Sequence, residues 1–375
     1  MTQRSVLVFP AGMPGALLWA RRAMDQGFRV VGASSLPHDP SQAQYREWTV
    51  LPWVGDPGFA AALGDSLRDE RIDSVFTSHP VVSVRMRELL PKVSPGVRLE
   101  TSDPWAGHLA DYGLYRDIAS GWARQPLRLA ASRGQAPGIA PLHLAALVRL
   151  FYTVPGECDH QKLEALTAVF PLLPRGDIVE IGSLWGRSAV ALAFLSRKFE
   201  TGKLLCVDPW EAEELRQGIV EVDSSFGRIP IEEVFDAFRL NLAPFAGLVN
   251  YARMRSVDAA SVYGTPCSFA TEDFGRTTYT GRIALLHIDG NHALDAVRSD
   301  ISLWRKWVRR GGWIVFDDYC WSFGGGPRIA ADEFCREFDG SLAGGFVAGG
   351  ALFLRVARRL SRGPLPLQQG QHGLG

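Results

Sequence analysis

The chain has 375 residues, of which 46% are hydrophobic and 21% are charged, so it is long enough to form about two or three globular domains with buried cores. Lysine plus arginine and aspartate plus glutamate each number 40, and this balance excludes the strong positive field that attracts nucleic acid or an anionic membrane. The five cysteines form no C-x-x-C pair, which argues against a disulfide framework and a zinc site and favours a reducing cytoplasm.

Strands and helices alternate over residues 1–100. The apolar pattern predicts strands at 5–10, 28–35 and 74–77 and helices at 16–26, 59–69 and 82–90. This alternation is typical of a doubly wound parallel sheet. We therefore expect a Rossmann-like N-terminal domain rather than a signal peptide or a membrane segment.

Two short stretches of this first part, 6–12 and 30–35, resemble the small domain that precedes the ATP-binding lobes of ATP-grasp enzymes. Nothing further along the chain resembles those lobes. We therefore expect a structural or substrate-holding role for residues 1–100, without ATP-dependent chemistry.

The rest of the chain divides by composition. Residues 101–141 contain scattered arginines and Pro/Gly breaks, which predict a partly helical linker. A second α/β domain is expected over 142–360, and the Pro/Gly/Gln-rich tail, 361–375, is expected to be disordered. The predicted elements of the second domain are strands at 177–181, 203–208, 248–252, 283–289 and 312–317, helices at 187–198 and 296–308, and a last strand pair near 345–347 and 351–354.

A glycine turn follows the first strand of the second domain. The strand ends near Glu180, and the chain then turns through Gly182 and Gly186 into a helix at Ser188. Glycines allow a tight turn and a close ligand, and the N–H groups of a helix start can hold a carboxylate. The spacing Glu-x-Gly-x-x-x-Gly-x-Ser differs from the G-x-G-x-x-G dinucleotide motif. A plain strand-to-helix turn is the alternative interpretation.

An acidic residue ends the next strand about 20 residues later, where a nucleotide-binding sheet holds ribose hydroxyls. This residue is Asp208. A carboxylate there can accept hydrogen bonds from two hydroxyl groups, so Asp208 is the candidate ribose ligand.

Acidic residues also follow two later strands. Asp289 and His292 lie after one strand, and Asp317 and Asp318 end the next, with one amphipathic helix between them. Because adjacent parallel strands end at the same edge of a sheet, these carboxylates should converge, and their repulsion favours a bound cation such as Mg²⁺. The alternative is that the acids only cap the following helices.

Together, the glycine turn, the Asp289-Gly-Asn-His292 segment and the Gly311–Tyr319 segment with its paired acids resemble class I S-adenosylmethionine (SAM) methyltransferases of the macrocin O-methyltransferase type, which are related to catechol O-methyltransferase and depend on a metal. The resemblance spans about 152–356 and implies a sheet with an antiparallel edge strand, formed by the last strand pair. His287, inside an apolar strand, is expected to be a core residue.

The resemblance also implies residue roles. The metal ligands would be Asp289, Asp317 and Asp318, and His292 would be the catalytic base. The residues expected to bind the cofactor are Glu180, Gly182, Ser183, Gly186, Ser188, Asp208 and Ser256.

The implied activity is transfer of a methyl group from SAM to a hydroxyl of a sugar-containing or catechol-like small molecule, with Mg²⁺ or a similar divalent cation. This small-molecule acceptor is the expected partner of the protein. The protein could also form a homo-oligomer. Segments 210–235 and 263–281, with Trp321 and Phe323, are expected to shape the acceptor pocket. The alternatives are an NAD-dependent oxidoreductase, which would need the absent G-x-G-x-x-G, and a non-catalytic SAM-binding protein.

Overall fold

The computed structural model describes residues 3–360 except 102, 130–137 and 265. The expected tail, 361–375, and part of the expected linker therefore lie outside the described residues. The chain divides into two compact units between Leu114 and Tyr115. None of the helices in the described ranges has the length and apolar character needed to cross a membrane.

The first unit contains a parallel sheet. Within its described residues the strand order is β3-β2-β1-β4-β5, and all the pairings are parallel. Neighbouring residues of β1 point to opposite faces, so Leu7 joins one apolar cluster and Val8 joins another. This arrangement confirms the predicted doubly wound sheet. The elements of the unit are β1 (Ser5–Val8), α1 (Pro14–Asp25), β2 (Arg29–Ser34), β3 (Glu47–Val50), α2 (Phe59–Asp69), β4 (Ser74–Phe76), α3 (Pro80–Val93) and β5 (Arg98–Leu99).

The second unit contains a mixed sheet. In its described part seven strands run in the order β13-β14-β12-β11-β6-β7-β8. The elements that follow β5 are α4 (Ala106–Arg124), α5 (Pro141–Thr153), α6 (His160–Val169), β6 (Asp177–Ile181), α7 (Arg187–Phe199), β7 (Leu204–Val207), α8 (Val220–Phe226), α9 (Ile231–Leu242), β8 (Val249–Ala252), α10 (Ser256–Val262), β9 (Cys267–Thr271), β10 (Gly275–Tyr279), β11 (Ile283–Ile288), α11 (Leu294–Trp304), β12 (Val308–Phe316), α12 (Gly326–Phe338), β13 (Leu342–Ala348) and β14 (Ala351–Val356).

The centre of this sheet is parallel and its edge is antiparallel. Strands β6, β7, β8, β11 and β12 pair in parallel, whereas β14 pairs antiparallel with both β12 and β13. Every residue of β6 and β11 is buried, as expected for parallel strands covered on both faces. The predicted antiparallel edge is therefore confirmed. The carboxyl ends of β6, β7, β11 and β12 meet at one side of the sheet.

The second unit includes the last part of helix α4. Ala119 and Trp122 are buried in the same apolar cluster as Leu147 and Phe151 of α5. Residues 115–124 of the expected linker thus pack as part of the second unit.

The hairpin β9–β10, residues 267–279, lies within the segment 263–281. Tyr263 donates a 2.7 Å hydrogen bond to Oδ2 of Asp177, the first residue of β6. The hairpin thus lies at the end of β6 opposite the glycine turn. None of the described residues of this segment lines the cavity presented below. The expectation that it shapes an acceptor pocket there is wrong, because its aromatic side chains are used to pack against the sheet.

Candidate cofactor and acidic site

A cavity of about 1120 Å³ opens at the carboxyl ends of the parallel strands. Its wall includes Gly182 and Ser183 from the glycine turn, and Asp289 and Asp318 from the acidic segments. Pockets for a single small ligand usually measure about 300–1,000 Å³. The cavity is thus large enough for a cofactor and a second molecule.

The glycine turn is fixed by protein neighbours. Gly182 has φ +80° and Gly186 has φ +85°, a region that only glycine adopts at low cost. A Cβ on Gly182 would overlap the carbonyl oxygen of Asp289, and a Cβ on Gly186 would lie 2.7 Å from Cδ2 of Leu242. Gly182 is therefore needed to pack the turn against the backbone that follows β11, and Gly186 is favoured by its left-handed backbone, whether or not a ligand is bound.

Asp208 anchors this turn. Its Oδ2 accepts 2.9 Å hydrogen bonds from the backbone N–H groups of Ser183 and Leu184, and its Oδ1 accepts one of 2.8 Å from Trp210. Burial raises the pKa of the Asp208 carboxyl, and these N–H donors offset part of that rise. Asp208 also lines the cavity, and Oδ1 retains capacity for a further donor.

Glu180 lies behind the turn. It is fully buried, its Oε2 accepts a 2.6 Å hydrogen bond from the Ser183 hydroxyl, and its Oε1 lies 3.1 Å from Nδ1 of His287. Both of its oxygens thus have protein partners. Of the residues expected to bind the cofactor, Glu180 and Gly186 do not line the cavity, whereas the following five do: Gly182, Ser183, Ser188, Asp208 and Ser256.

Half-buried Ser256 and buried Asp300 form a polar pair on another wall of the cavity. The Ser256 hydroxyl accepts a 2.9 Å hydrogen bond from Nε1 of Trp304. Burial raises the pKa of Asp300 to about 6, although a hydrogen bond with Ser256 lowers it in part. Sequence reasoning missed Asp300. The available signal was an acidic residue on the apolar face of α11, next to Ile301.

The acidic residues form two groups, each with donor atoms within 4.8 Å of one another. The inner group consists of His287, Asp289 and Asp317, and the outer group consists of Asp289, His292 and Asp318. The three expected metal ligands are thus divided, because Asp317 and Asp318 belong to different groups. His287 is buried as expected, but it faces the inner group.

His292 has a defined orientation in the outer group. Its Nε2 lies 3.0 Å from Oδ2 of Asp318, and its ring contacts that of Trp321 edge-on with centroids 4.6 Å apart. Asp318 has φ +52°, which is unusual for a residue other than glycine. This strained turn directs Asp317 and Asp318 to different partners.

The partner of Asp317 is Lys162, which sequence reasoning also missed. Lys162 lies in the first turn of α6, is fully buried, and donates through Nζ to Oδ2 of Asp317. Burial lowers the pKa of Lys162, but the Asp317 carboxylate raises it, and the net pKa lies well above the usual value. Burial raises the pKa of Asp317, but Lys162 lowers it, and the net shift is downward. Burial and the neighbouring Asp317 carboxylate raise the pKa of Asp289.

Residues 179–319 match the family model of a methyltransferase domain. Among curated proteins, the uncharacterized protein R132 of Acanthamoeba polyphaga mimivirus is 48% identical over 42 residues, which cover 11% of this chain and 19% of that protein. The chain thus matches only about a fifth of the length of this relative.

Several solved structures are similar to the chain at low identity. The O-methyltransferase NovP has 15% identity and a TM-score of 0.37, covering 67% of this chain and 99% of NovP. The calicheamicin methyltransferase CalS11 has 16% identity and a TM-score of 0.38, covering 65% of this chain and 91% of CalS11. The mycinamycin-pathway methyltransferase MycE, in complex with Mg, SAH and mycinamycin VI, has 17% identity and a TM-score of 0.30, covering 51% of this chain and 48% of MycE. At such low TM-scores these likenesses carry no conclusion about substrate or metal.

Proposed function

Because residues 179–319 match the family model of a methyltransferase domain, we propose that the second unit transfers a methyl group from SAM to a hydroxyl of a small molecule with the help of a divalent cation such as Mg²⁺. One observation carries the proposal. The glycine turn, Asp208 and the outer group all line one cavity of about 1120 Å³. A methyl donor and an oxygen acceptor could therefore lie side by side in it.

The turn residues suit the methionine end of SAM. Helix α7 begins after Gly186 without a side-chain cap, so the N–H groups of its first turn can receive a carboxylate. Ser183 and Ser188 line the cavity beside these groups. Asp208 would accept a hydrogen bond from the ribose, and Ser256 would lie near the base.

The outer group suits a divalent cation. Mg²⁺ is commonly held by one or two carboxylates together with waters and substrate oxygens. Asp289 and Asp318 provide two carboxylates that face the cavity. A cation bound there would lower the pKa of an acceptor hydroxyl and orient it. A sugar or catechol with two neighbouring hydroxyls is the acceptor chemistry that we propose.

We assign removal of the acceptor proton to His292, whose Nδ1 has no hydrogen-bond partner among the described residues. Its Nε2 lies 3.0 Å from Oδ2 of Asp318, and Asp318 can hold the ring with one oxygen while the other faces a cation. The carboxylate also stabilises the positive charge that His292 gains when it takes the proton. Trp321 packs against the ring and limits its rotation. General base catalysis of this kind typically contributes about 10²–10⁴-fold.

The test is methyl transfer by the purified full-length protein. The protein is incubated with SAM and a panel of catechols and sugar-bearing compounds, with Mg²⁺ or with EDTA, and S-adenosylhomocysteine and methylated products are quantified by mass spectrometry. We expect Mg²⁺-dependent methylation of one of two neighbouring hydroxyls. Full methyl transfer in EDTA would show that the reaction needs no divalent cation. Binding of NAD without binding of SAM would contradict the proposed methyltransferase activity.

A further inference from the structure

A buried lysine lies among the donors of the inner group. The Nζ of Lys162 donates to Oδ2 of Asp317 and lies 3.6 Å from Oδ2 of Asp289. His287 is 0% exposed, and its Nε2 has no hydrogen-bond partner among the described residues. This nitrogen lies 3.7 Å from Oδ2 of Asp317 and 4.0 Å from Oδ2 of Asp289. The carboxylates and the imidazole of the inner group, which could bind a metal ion, thus lie around the ammonium group of Lys162.

The inward direction of Lys162 is fixed by its helix. The carboxylate of Asp159 caps α6 by accepting a 2.9 Å hydrogen bond from the backbone N–H of Lys162. Gly349, in the turn between β13 and β14, has φ +57°, and a Cβ there would overlap the same part of α6. The tight contact with this turn holds the start of α6 against the sheet. Lys162 is 0% exposed beneath this contact.

A buried ammonium group is costly unless carboxylates surround it, and two close buried carboxylates are costly unless a cation lies between them. The ammonium group of Lys162 lies beside the carboxylates of Asp317 and Asp289, which are only 11% and 22% exposed, and so meets both requirements in large part. A divalent ion at the inner group would have to displace this ammonium or remain beside it against strong repulsion.

We propose that Lys162 is a resident cation that takes the place of a divalent ion in the inner group and thereby confines metal binding to the outer group. Asp317 is then a positioning residue that holds Lys162. Asp289 belongs to both groups, and its two oxygens allow it to face Lys162 and an outer ion at once. Only the assignment of the outer group rests on the proposed function. The exclusion of metal from the inner group does not.

The experiment measures Co²⁺ binding by calorimetry in the absence of SAM and acceptor, because carboxylates and imidazole both bind this ion. The full-length Lys162→Gln variant loses the ammonium, whereas Lys162→Arg keeps a positive charge. Lys198→Gln is the matched control, since Lys198 is exposed on α7. Lys162→Gln should bind Co²⁺ at least about tenfold more tightly than the wild type, and the other two variants should not.

The gain should come from the inner group. It should therefore disappear in the double variant Lys162→Gln/Asp317→Asn, and the visible absorption of Co²⁺ in Lys162→Gln should report an imidazole ligand that is lost with His287→Gln. Unchanged Co²⁺ affinity in a folded Lys162→Gln variant overturns the proposal. If that variant is unfolded without metal, refolding on addition of Co²⁺ supports the proposal.

Wild-type crystals soaked in Co²⁺ give a second test that does not depend on any variant. An anomalous scattering peak in contact with Asp317 and His287 overturns the proposal, and a peak at the outer group alone supports it. A wild type that binds no Co²⁺ at either group removes the metal from the proposed function. The increase in Co²⁺ affinity of the Lys162→Gln variant still tests the role of Lys162 in that case.

Discussion

The backbone of Gly182 lies directly against the carbonyl oxygen of Asp289, so closely that a Cβ on Gly182 would overlap that oxygen. The glycine turn after β6 and the acidic segment after β11 are therefore packed together at one point. A substitution in either segment should therefore displace the other, which links the glycine turn to the outer group.

The first prediction concerns this contact. Gly182→Ala should displace both the turn and Asp289, and should therefore lower SAM affinity and Mg²⁺ affinity together, because the added methyl group has no space. The left-handed backbone adds a cost of about 1–2 kcal/mol in unfolding free energy. Calorimetry with each ligand and urea unfolding measure the two effects.

Gly247→Ala is the control for the backbone cost alone. Gly247 has φ +83°, but a Cβ there meets nothing within 4 Å. This control should lose about 1–2 kcal/mol of stability with unchanged SAM affinity. Equal SAM affinity in the Gly182→Ala and Gly247→Ala variants would show that the contact between Gly182 and Asp289 does not affect SAM binding.

The second prediction concerns Asp208. Asp208→Asn replaces one carboxylate oxygen by a donor, so one of the three backbone N–H groups that it holds loses its acceptor. We expect SAM binding to weaken by about 1–3 kcal/mol. Calorimetry of SAM binding is the measurement. The control is Asp273→Asn, which changes a half-exposed acid that pairs with Arg239. A matching loss in the control would point to a general charge effect.

The third prediction concerns pH. The folded-state pKa of Asp300 is raised to about 6 by burial, so the folded protein holds this proton where the unfolded chain would release it. The stability that the protonated form contributes is complete below the unfolded pKa of about 4 and is lost as pH rises through about 6. Asn cannot ionise, so the Asp300→Asn variant does not lose this stability as the pH rises. It should stabilise the protein on the order of 3 kcal/mol near pH 8, and the gain should shrink toward pH 4.

Urea unfolding of this variant at several pH values tests the prediction. Asp295→Asn on the same helix is the control, because the Asp295 side chain is 93% exposed. A gain that is independent of pH would contradict the assignment to Asp300.

The fourth prediction concerns the base. His292→Gln should keep SAM and Mg²⁺ binding but lower turnover by roughly two or more orders of magnitude, because Gln cannot take a proton. The exposed His143 on α5 gives the matched control His143→Gln, which should have wild-type turnover. Turnover is measured with an identified acceptor over a range of pH. Near-normal turnover of His292→Gln would assign proton removal elsewhere.

Much of the second sheet could be predicted because its central strands are continuous apolar runs. The segment 177–181 and the segment 283–288 are buried throughout and read as parallel strands. The acids at 289, 317 and 318 were predicted at one edge of the sheet, and the structure does place them there. The two glycines after β6 do adopt positive φ angles, as the turn required.

Other features depend on contacts between distant parts of the chain. A lysine in the first turn of an amphipathic helix reads as a solvent-exposed residue, yet Lys162 is buried against Asp317, 155 residues away. The hairpin β9–β10 was missed because its alternating pattern was short. Thr280, which follows β10 directly, donates its backbone N–H to Asp177, and no local pattern indicates this contact. Periodicity shows which face of an element is apolar, but not which distant charge will pair with it.

The most direct test of the account asks whether SAM and a divalent ion are neighbours in one cavity. The measurement is the NMR relaxation of the methyl group of ¹³C-methyl SAM bound to the wild-type protein, with Mn²⁺ and then with Mg²⁺. We predict strong relaxation enhancement with Mn²⁺, reversal by Mg²⁺, and loss of the effect in Asp318→Asn. Bound SAM whose methyl relaxation is the same with Mn²⁺ and with Mg²⁺ would contradict the account.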